Sequence, residues 1–573
     1  MQTTIISTKP FTDQKPGTSG LRKPTKTFEF QENYTENFIA SILKTKTLSS
    51  AENATLIVGG DGRYFMVPAI NKIINLAAAQ PNISKLIIGQ NGILSTPAVS
   101  NLIIKKKAAG GILLTASHNP GGPENDFGIK YNCENGGPAP STVTDEIFEI
   151  SKSLESFRAA NLKIDVSILA KHEFDIQLEG ENTKKFSIEI VDSVSDYEKM
   201  CQELFDFEKL KKLFQSGFKV RLDCMHGVVG PYATKIVCET LGAGSDCVVN
   251  NIPSPTFNNG HPDPNLKWAK ELVDFMKADQ NYQFAAAFDG DGDRNMVLGQ
   301  NGFFITPSDS LALIAEHGNR SIPYFKNNGG IKGIARSMPT SAASDKIALA
   351  LGIESYQTPT GWKYFGALMD SDKISLCGEE SFGTGSTHIR EKDGLWAVLA
   401  WLSILADNMP VINAEGLVRQ HWRTFGRHYY CRWDYEGLTI EQGNGIMETC
   451  EKLVSDKKTG IISEIKSPAS GLVCKSIESF TYTDLDGTIA SKQGIIMKFY
   501  EDSENSKNYY GRAVIRLSGT GSSGATLRLY LERYDQENID NSVDSAVGVL
   551  QKAADEIAKI RETSGREEPT VIT

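Results

Sequence analysis

The run Asp289-Gly290-Asp291-Gly292-Asp293-Arg294 carries the strongest chemical signal in the sequence. Three carboxylates at alternate positions, separated by glycines, can turn toward one point and supply the hard oxygen ligands that Mg²⁺ or Ca²⁺ prefers. An EF-hand loop is excluded because its sixth position needs Gly and its twelfth needs Glu, whereas Arg294 and Gln300 stand there. A solvated acidic turn is the simpler alternative, but an apolar segment precedes the run. The pattern therefore favours a metal site with open coordination positions.

A second signal is Thr115-Ala116-Ser117-His118-Asn119-Pro120, which puts a serine directly after an apolar, strand-like run. A serine hydrolase is not favoured, because neighbours in sequence rarely set an imidazole on the hydroxyl and the G-x-S-x-G elbow is absent. A serine that accepts and donates a phosphoryl group needs a cation nearby, and the aspartate run could hold one. The segment therefore predicts a phosphoryl carrier at Ser117.

The third signal is Ser518–Gly524, SGTGSSG, which contains the spacing G-x-G-x-x-G. A dinucleotide-binding site is excluded because that fingerprint must open a helix, whereas the alternating Leu527, Leu529 and Leu531 predict a strand. Two interpretations stay open, an ordinary hairpin loop and a phosphate cradle of backbone N–H groups and hydroxyls. The flanking Arg516 and Arg528 favour the cradle, because arginine binds phosphate with two parallel hydrogen bonds.

Three weaker loops share polar or basic residues beside glycines: Lys15–Arg22, Gly378–Gly383 and Arg390–Gly394. The first has a basic end, the second offers polar groups suited to sugar hydroxyls, and the third offers cations. Each by itself is more typical of a surface loop than of a site.

Apolar runs of strand length must position these loops. Such runs stand before the loops at Leu56–Val58, Gly111–Leu114, Phe284–Phe288 and Ile374–Leu376. Because they alternate with helical patterns, they predict α/β domains whose ligands bind beyond the carboxyl ends of the strands.

The C-terminal region has a different pattern. Ala513–Leu517 and Ala525–Leu531 predict two strands, and a helix is predicted from about Ser542 to Glu562. This order favours a smaller antiparallel α+β domain.

Length and composition limit the class of protein. The 573 residues predict roughly three to five domains, and 40% hydrophobic with 23% charged residues is typical of a globular protein. The net charge of −10 argues against nucleic-acid binding. Nine cysteines without a C-x-x-C pair and the lack of a signal-peptide pattern predict reduced thiols in the cytoplasm. The apolar run Leu395–Ala406 is too short to span a membrane and predicts a buried helix.

Together the motifs resemble the α-D-phosphohexomutase superfamily, in its eukaryotic branch, over nearly the whole chain. The motifs that carry the resemblance are, in order, KPGTSGLR, VGGDGR, TASHNPGGP, FDGDGDRNM, PTGWK, CGEESFGTG, REKDGLW and RLSGTGSSG. The resemblance implies a heart-shaped fold of three related α/β mixed-sheet domains and a C-terminal α+β domain like the TATA-binding protein. The expected domains are residues 1–197, 198–311, 312–432 and 433–573.

The resemblance also implies an enzyme that interconverts glucose 1-phosphate and glucose 6-phosphate, with Mg²⁺ and a glucose 1,6-bisphosphate intermediate. Sugar phosphates would be its partners. Ser117 would carry the phosphoryl group and hold Mg²⁺ with Asp289, Asp291 and Asp293. His118 and Lys130 would handle protons, in no order that the sequence decides.

Further binding residues follow from the same resemblance. Arg22 and Arg294 would lie beside the transferring phosphate. In the early glycine loop, Thr18 and Ser19 would bind the substrate. Those on the sugar would be Thr360, Gly361, Glu379 and Ser381. Those on the second phosphate would be Lys392, Arg516, Ser518, Thr520 and Arg528.

Two rival functions stay open at this stage. One is a mutase for mannose or amino-sugar phosphates, against which PTGWK and GEESFG favour glucose. The other is a phosphorylated scaffold without turnover, because the superfamily includes secretion-linked, parafusin-like members and inactive relatives. The presence of serine, metal, sugar and phosphate loops in one chain favours the enzyme.

Overall fold

The computed structural model of this chain describes residues 1–17, 19–178, 183–502, 508–521 and 524–573, with the backbone alone at 519–521. The chain divides into two compact units. Unit 1 contains Met1–Pro307, Glu316–Lys332 and Gly361–Glu415, and unit 2 contains Ser308–Ala315, Gly333–Thr360 and Gly416–Thr573.

The chain up to residue 307 alternates strands with helices. Its strands are β1 (Thr4–Ser7), β2 (Leu21–Pro24), β3 (Ala54–Gly60), β4 (Ile83–Ile93), β5 (Gly110–Leu114), β6 (Asp126–Cys133), β7 (Ser156–Ala159), β8 (Lys171–Gln177), β9 (Thr183–Val191), β10 (Val220–Asp223), β11 (Val248–Val249), β12 (Phe284–Phe288), β13 (Asn295–Gly299) and β14 (Phe304–Ile305). Its helices are α1 (Thr25–Phe30), α2 (Tyr34–Leu43), α3 (Lys46–Ser49), α4 (Met66–Ala78), α5 (Thr96–Lys106), α6 (Ser141–Ser151), α7 (Ser195–Leu204), α8 (Phe207–Gln215), α9 (Val229–Ala233) and α10 (Lys270–Ala278). Short 3₁₀ or π-helical turns lie at Thr234–Thr240, Ser245–Cys247, Phe257–Asn259 and Gln300–Gly302.

The first sheet of unit 1 has the strand order β2-β6-β5-β3-β4-β9-β8. Its middle strands β5, β3, β4 and β9 are parallel, and β6, β2 and β8 add antiparallel edges. Strand β5 is buried along its whole length, as expected for a parallel strand covered on both faces. The predicted loop with Ser117 therefore begins at the carboxyl end of a central strand, where open α/β sheets bind ligands.

The second sheet of unit 1 has the order β11-β10-β12-β13-β14. Strand β12 is parallel to β10 and antiparallel to β13, and all of its residues are buried. The predicted metal loop is the connection from β12 to β13, so it also lies at the carboxyl end of a buried strand.

Residues 307–425 contain elements of both units. They are α11 (Pro307–Ser321), α12 (Pro323–Asn327), β15 (Gly333–Ser337), α13 (Ala343–Leu351), β16 (Glu354–Thr358), α14 (Trp362–Asp370), β17 (Leu376–Gly378), β18 (Thr384–Ser386), α15 (Gly394–Asn408) and α16 (Ala414–Phe425). In unit 2, β15 pairs with β16 in parallel; in unit 1, β17 and β18 form an antiparallel hairpin. The predicted buried helix is α15, which is buried from Leu395 to Leu405. Among the described residues, no helix is both long and apolar enough to cross a membrane.

The rest of unit 2 is mainly an antiparallel sheet covered by helices. Its elements are β19 (Arg427–Leu438), α17 (Ile440–Lys458), β20 (Ile465–Ser467), β21 (Leu472–Ser479), β22 (Tyr482–Thr483), β23 (Ile489–Ala490), β24 (Ile495–Glu501), β25 (Tyr509–Gly521), β26 (Gly524–Asp535), α18 (Val543–Ala558), α19 (Ile560–Ser564) and β27 (Val571–Ile572). The sheet order is β20-β21-β24-β25-β26-β19-β27. Leu527, Leu529 and Leu531 of β26 lie in the core that α17 and α18 share with the sheet.

The predicted C-terminal strands are confirmed, while the single helix predicted to reach Glu562 is wrong. The helix is divided because Lys559 adopts a left-handed backbone with φ 54°, which ends α18 before α19 begins. Such a residue cannot continue a right-handed helix.

Candidate active site

Ser117 lies three residues beyond β5 and is almost fully buried, with 2% of its surface exposed. Its backbone is left-handed, with φ 54°. This conformation costs about 1–3 kcal/mol in a non-glycine residue and persists where the surroundings hold it. Ser117 Oγ donates a hydrogen bond to Asp289 Oδ2 at 2.9 Å, and it is 3.4 Å from Nδ1 of His118. The predicted phosphoryl carrier and the predicted metal loop thus meet directly.

Arg63 holds the loop that contains Ser117 through hydrogen bonds to backbone carbonyl oxygens, a role that was not predicted from the sequence. Its Nη2 donates to the carbonyl oxygen of Ser117 at 3.0 Å, and its Nη1 donates to that of Asp126 at 2.8 Å. Its Nε contacts both carboxylate oxygens of Asp61, at 3.1 and 2.9 Å, and Thr115 Oγ1 donates to Asp61 Oδ2 at 2.7 Å. The available signal was the charged pair Asp61 and Arg63 directly after β3, at the end of the GGDGR motif.

The three aspartates of the metal loop converge as predicted. One carboxylate oxygen from each residue lies within 4.8 Å of the other two, and all three residues are buried. Thr96 Oγ1 donates to Asp291 Oδ2 at 2.8 Å, and the backbone N–H of Arg294 donates to Asp289 Oδ1 at 3.0 Å. These hydrogen bonds hold the loop in place and leave some of its carboxylate oxygens without a hydrogen bond.

This donor set fits a divalent cation. Burial, and then the charges of Asp291 and Asp293, raise the pKa of the Asp289 carboxyl well above its usual range. Oδ1 of Asp291 and Oδ1 of Asp293 are buried and have no hydrogen-bond partner among the described residues. A hard divalent cation between these two oxygens and the Asp289 carboxylate would relieve both penalties.

Two arginines predicted beside the transferring phosphate lie at this loop. Arg294 Nη1 is 2.6 Å from His118 Nδ1, and Arg294 Nε is 3.9 Å from Asp293 Oδ1. Burial is the main cause that lowers the pKa of Arg22. The nearby charge of Asp291 raises this pKa, and that of Arg294 lowers it further. Because arginine only donates, Nδ1 of His118 accepts this hydrogen bond.

Lys130 of β6 forms a buried ion pair with Glu391, 261 residues further along the chain. Asn132 Nδ2 donates to the same Oε1 of Glu391 at 2.9 Å, while Oε2 has no partner among the described residues. Burial raises the pKa of Glu391, and Lys130 opposes this. Sequence reasoning missed Glu391, whose only signal was its place in the cationic REKDG segment.

The predicted sugar loop lies in unit 1, between β17 and β18. The backbone N–H of Gly361 donates to Glu379 Oε1 at 3.2 Å. Ser381 is partly exposed on the same loop. Lys392, predicted at the second phosphate, has its Nζ 3.0 Å from Asp293 Oδ2. The backbone N–H of Asn295 donates to the carbonyl oxygen of Phe382 at 3.1 Å, so the sugar loop and the metal loop lie side by side in unit 1.

The remaining described phosphate-binding candidates lie in unit 2. Arg516 of β25 and Arg528 of β26 are direct cross-strand partners. Arg516 donates to the carbonyl oxygen of Gln493 at 3.1 Å and to Thr360 Oγ1, while Arg528 Nε is 3.8 Å from Asp434 Oδ2. Like charges directly opposite each other destabilise a sheet, so this pair favours an anion between the two guanidinium groups.

Ser518 and the early glycine loop complete the predicted set. Ser518 lies opposite Thr526 in the same ladder, with its Oγ 3.5 Å from the Thr526 carbonyl oxygen. Ser19 lies in the turn closed by the Gly17–Gly20 backbone pair. Thr18 and the side chain of Thr520 lie outside the described residues.

Comparison with known families covers most of the chain. Profiles of the phosphoglucomutase/phosphomannomutase α/β/α domains I, II and III match residues 13–158, 195–302 and 306–425, and the C-terminal domain profile of phosphoglucomutase-1 matches residues 427–570. The chain belongs to the phosphoglucomutase/phosphomannomutase family. Three α/β domains and a different C-terminal domain confirm the predicted fold class of this mutase. The predicted domain boundaries stay a prediction.

Full-length relatives agree with this assignment. The mutase is 50% identical over 574 residues to phosphoglucomutase-1 of Oryctolagus cuniculus and equally to that of Homo sapiens, with 99% of each chain covered. The open form of parafusin from Paramecium, an exocytosis-sensitive phosphoprotein described as a phosphoglucomutase, matches with a TM-score of 0.87 and 42% identity. That match covers 100% of this chain and 99% of the other. The predicted enzyme class, a sugar-phosphate mutase, is confirmed.

Proposed function

We propose that this mutase interconverts glucose 1-phosphate and glucose 6-phosphate through a phosphorylated Ser117. The hydrogen bond of 2.9 Å from Ser117 Oγ to Asp289 Oδ2 carries the proposal, because it joins the phosphoryl carrier to the cation-binding loop. In the first half-reaction, the phosphoryl group leaves Ser117 for the free hydroxyl of the sugar monophosphate and gives glucose 1,6-bisphosphate. The bisphosphate turns around, and its other phosphoryl group returns to Ser117.

Mg²⁺ bound by Asp289, Asp291, Asp293 and a phosphoserine oxygen would supply positive charge to the transferring phosphoryl group. Arg294 and Arg22 add fixed positive charges on the protein side. Phosphoryl transfer depends mainly on positioning and charge stabilisation, and Arg63 supplies the positioning by holding the Ser117 carbonyl oxygen.

The Lys130–Glu391 pair is the proposed proton-handling group at the sugar hydroxyl. It is buried, and Glu391 keeps one oxygen without a partner among the described residues. A carboxylate with a raised pKa accepts a proton more readily near neutral pH. His118 is proposed to orient Arg294, because its Nδ1 accepts from that side chain.

Substrate recognition is assigned by chemistry. Glu379 and Ser381 would bind sugar hydroxyls, together with Thr360 and Gly361, and Thr18 and Ser19 of the early loop would bind the substrate. The phosphate that is not transferring would bind cations and hydroxyls, for which the candidates are Lys392 in unit 1 and Arg516, Ser518, Thr520 and Arg528 in unit 2.

The proposed compartment is the cytoplasm. All nine cysteines are free thiols, seven of them buried, and free thiols in this number are typical of a reducing environment.

The test is phosphoryl transfer to Ser117 from glucose 1,6-bisphosphate carrying ³²P. The parent should take up acid-stable label on the tryptic peptide that contains Ser117 and should turn over glucose 1-phosphate in a coupled assay with Mg²⁺. Ser117→Ala should lose label and turnover together and keep its circular dichroism, because only a hydroxyl is removed. Ser153→Ala, an exposed serine of the same unit, is the matched control.

Full mutase rate in Ser117→Ala protein would show that the carrier is wrong. Mannose 1-phosphate and N-acetylglucosamine 1-phosphate, assayed beside glucose 1-phosphate, test the sugar. A larger kcat/KM for either of them would replace glucose as the substrate.

A further inference from the structure

Two cysteines that the proposed chemistry does not use lie side by side in unit 1. Sγ of Cys238 is 3.1 Å from Sγ of Cys247. A disulfide bond has a sulfur–sulfur length of about 2.05 Å, so an approach of about 1 Å would join them.

The connection between the two cysteines has room for that approach. Cys238 lies in the π-helical turn Thr234–Thr240, and Cys247 ends the short turn before β11. Gly242 lies between them with φ 79°, and no atom would lie within 4 Å of a Cβ placed on it. An unpacked glycine in a left-handed conformation lets the connection adjust without disturbing the core.

The two thiols differ in exposure and acidity. Cys238 is partly exposed, whereas Cys247 is 2% exposed. A hydrogen bond from the Cys247 thiol lowers the pKa of Cys238, although burial opposes it, and the same contact raises the pKa of Cys247. The thiolate is the form that reacts with an oxidant, so Cys238 should be oxidised first. Cys247 then lies in position to attack the oxidised Cys238 sulfur and form the disulfide.

We propose that Cys238 and Cys247 are a modification site that forms a reversible intramolecular disulfide when the protein meets hydrogen peroxide. The Cys238 sulfur gives an electron pair to one peroxide oxygen, an S–O bond forms, the O–O bond breaks, and the leaving hydroxide takes a proton to become water. The Cys247 sulfur then attacks the sulfenic sulfur; the S–S bond forms, the S–O bond breaks, and the released hydroxyl takes the Cys247 proton as a second water. The two thiols lose two electrons, which reduce the peroxide.

A dithiol reductant reverses the modification by thiol–disulfide exchange. The proposal does not depend on the sugar substrate, because neither cysteine belongs to the proposed site.

The chain offers an internal comparison in Cys133. This residue is also partly exposed, but burial raises its pKa to about 11. The thiolate fraction changes about tenfold per pKa unit, so Cys238 should react at least about tenfold faster than Cys133 near neutral pH.

The experiment is differential alkylation of the full-length protein after limiting hydrogen peroxide. Trypsin cleavage after Lys235 and Lys267 gives a peptide, residues 236–267, that contains Cys238 and Cys247 and no other cysteine. After oxidation and iodoacetamide, this peptide should lose both alkylation sites and be about 2 Da lighter than the dithiol peptide. Dithiothreitol before alkylation should restore both sites, and Cys133 should stay alkylated throughout.

Variants test the order of the two steps. Cys247→Ser should leave Cys238 as a sulfenic acid that dimedone traps, and Cys238→Ser should leave Cys247 unreactive. Two results obtained on the parent protein alone would overturn the proposal: peptide 236–267 keeping both alkylation sites while Cys133 is oxidised, or Cys238 passing to sulfinic acid without loss of Cys247. Neither result requires that a variant folds.

Discussion

At the scale of single residues, the site combines groups whose acidity depends on burial. Asp289 carries a raised pKa because it is buried beside two other carboxylates, while Ser117 donates to it. Protons and a divalent cation therefore compete for the same oxygens.

Metal binding should weaken on acidification. Below its raised pKa, Asp289 holds a proton that Mg²⁺ must displace, and above that pKa the carboxylate is free to bind. The affinity of the protein for Mg²⁺ is therefore highest at high pH and falls as the pH drops through that pKa. The expected slope is about tenfold per pH unit for one displaced proton. Titration calorimetry of metal-free protein with Mg²⁺, in buffers of different ionisation enthalpy, measures the slope and the released proton. An affinity that is flat with pH would contradict this, and Asp289→Asn should abolish the slope.

Glu379 should govern transfer to the sugar rather than phosphorylation of the enzyme. A carboxylate accepts hydrogen bonds from sugar hydroxyls, and losing one charged hydrogen bond of about 1.5–3 kcal/mol slows transfer about 10- to 150-fold. Glu379→Gln should therefore lower kcat/KM for glucose 1-phosphate by this factor and leave the ³²P-phosphoserine level at the parent value. Glu271→Gln, an exposed change elsewhere in unit 1, is the control. Parent-like kcat/KM in Glu379→Gln would remove Glu379 from the site.

At the scale of elements, the loops after β3, β5 and β12 act as one assembly. The Asp61–Arg63 pair follows β3 and holds the Ser117 loop after β5, and Ser117 contacts the metal loop after β12. The parallel strands β3 and β5 bring their two loops to the same edge of the first sheet. The loop after β12 belongs to the second sheet and meets that edge through the contact of Ser117 with Asp289.

Arg63→Met should damage both stability and rate. Removing one partner of a buried ion pair leaves Asp61 uncompensated, which typically costs about 3–5 kcal/mol of unfolding free energy. The Ser117 carbonyl oxygen also loses its donor, so kcat should fall. Urea unfolding and a coupled assay measure the two effects.

Adding Asp61→Asn to Arg63→Met separates the effect on stability from the effect on kcat. The double variant should regain most of the stability, because no buried charge is left, and should keep the low kcat. Recovery of kcat along with stability would show that Arg63 does not position the serine loop.

At the scale of the whole molecule, the net charge of −10 means that an anionic substrate needs a local group of positive charges. Arg516 and Arg528 face each other across β25 and β26 in unit 2, with Asp434 3.8 Å from one of them. A phosphate at this pair would offset the repulsion between the two guanidinium groups.

Arg516→Ala and Arg528→Ala should each raise KM for glucose 1-phosphate. A charge-assisted hydrogen bond of about 1.5–3 kcal/mol corresponds to an increase of about 10- to 150-fold at low ionic strength. Arg533→Ala is the matched control, because Arg533 lies on β26, as Arg528 does, and its guanidinium group already contacts Tyr510 and Asp535. Steady-state kinetics at several salt concentrations measures the effect. Equal KM values in all three variants would exclude the arginine pair from substrate binding.

The sequence by itself determined the local chemistry. Alternating carboxylates, a serine after an apolar run and the period-two pattern of Leu527 to Leu531 each depend on neighbouring residues, so spacing alone predicted the metal loop, the carrier and strand β26. The order of motifs also predicted the family and its fold class.

Only the tertiary structure decided which distant residues meet. Glu391 pairs with Lys130, Arg63 supports Ser117, and Lys392 contacts Asp293, none of which a local pattern encodes. Such contacts depend on strand order and register, which follow from packing of the whole sheet rather than from the periodicity of one segment. The left-handed backbone of Ser117 likewise exists because surrounding elements hold it, since the local preference of a serine opposes it.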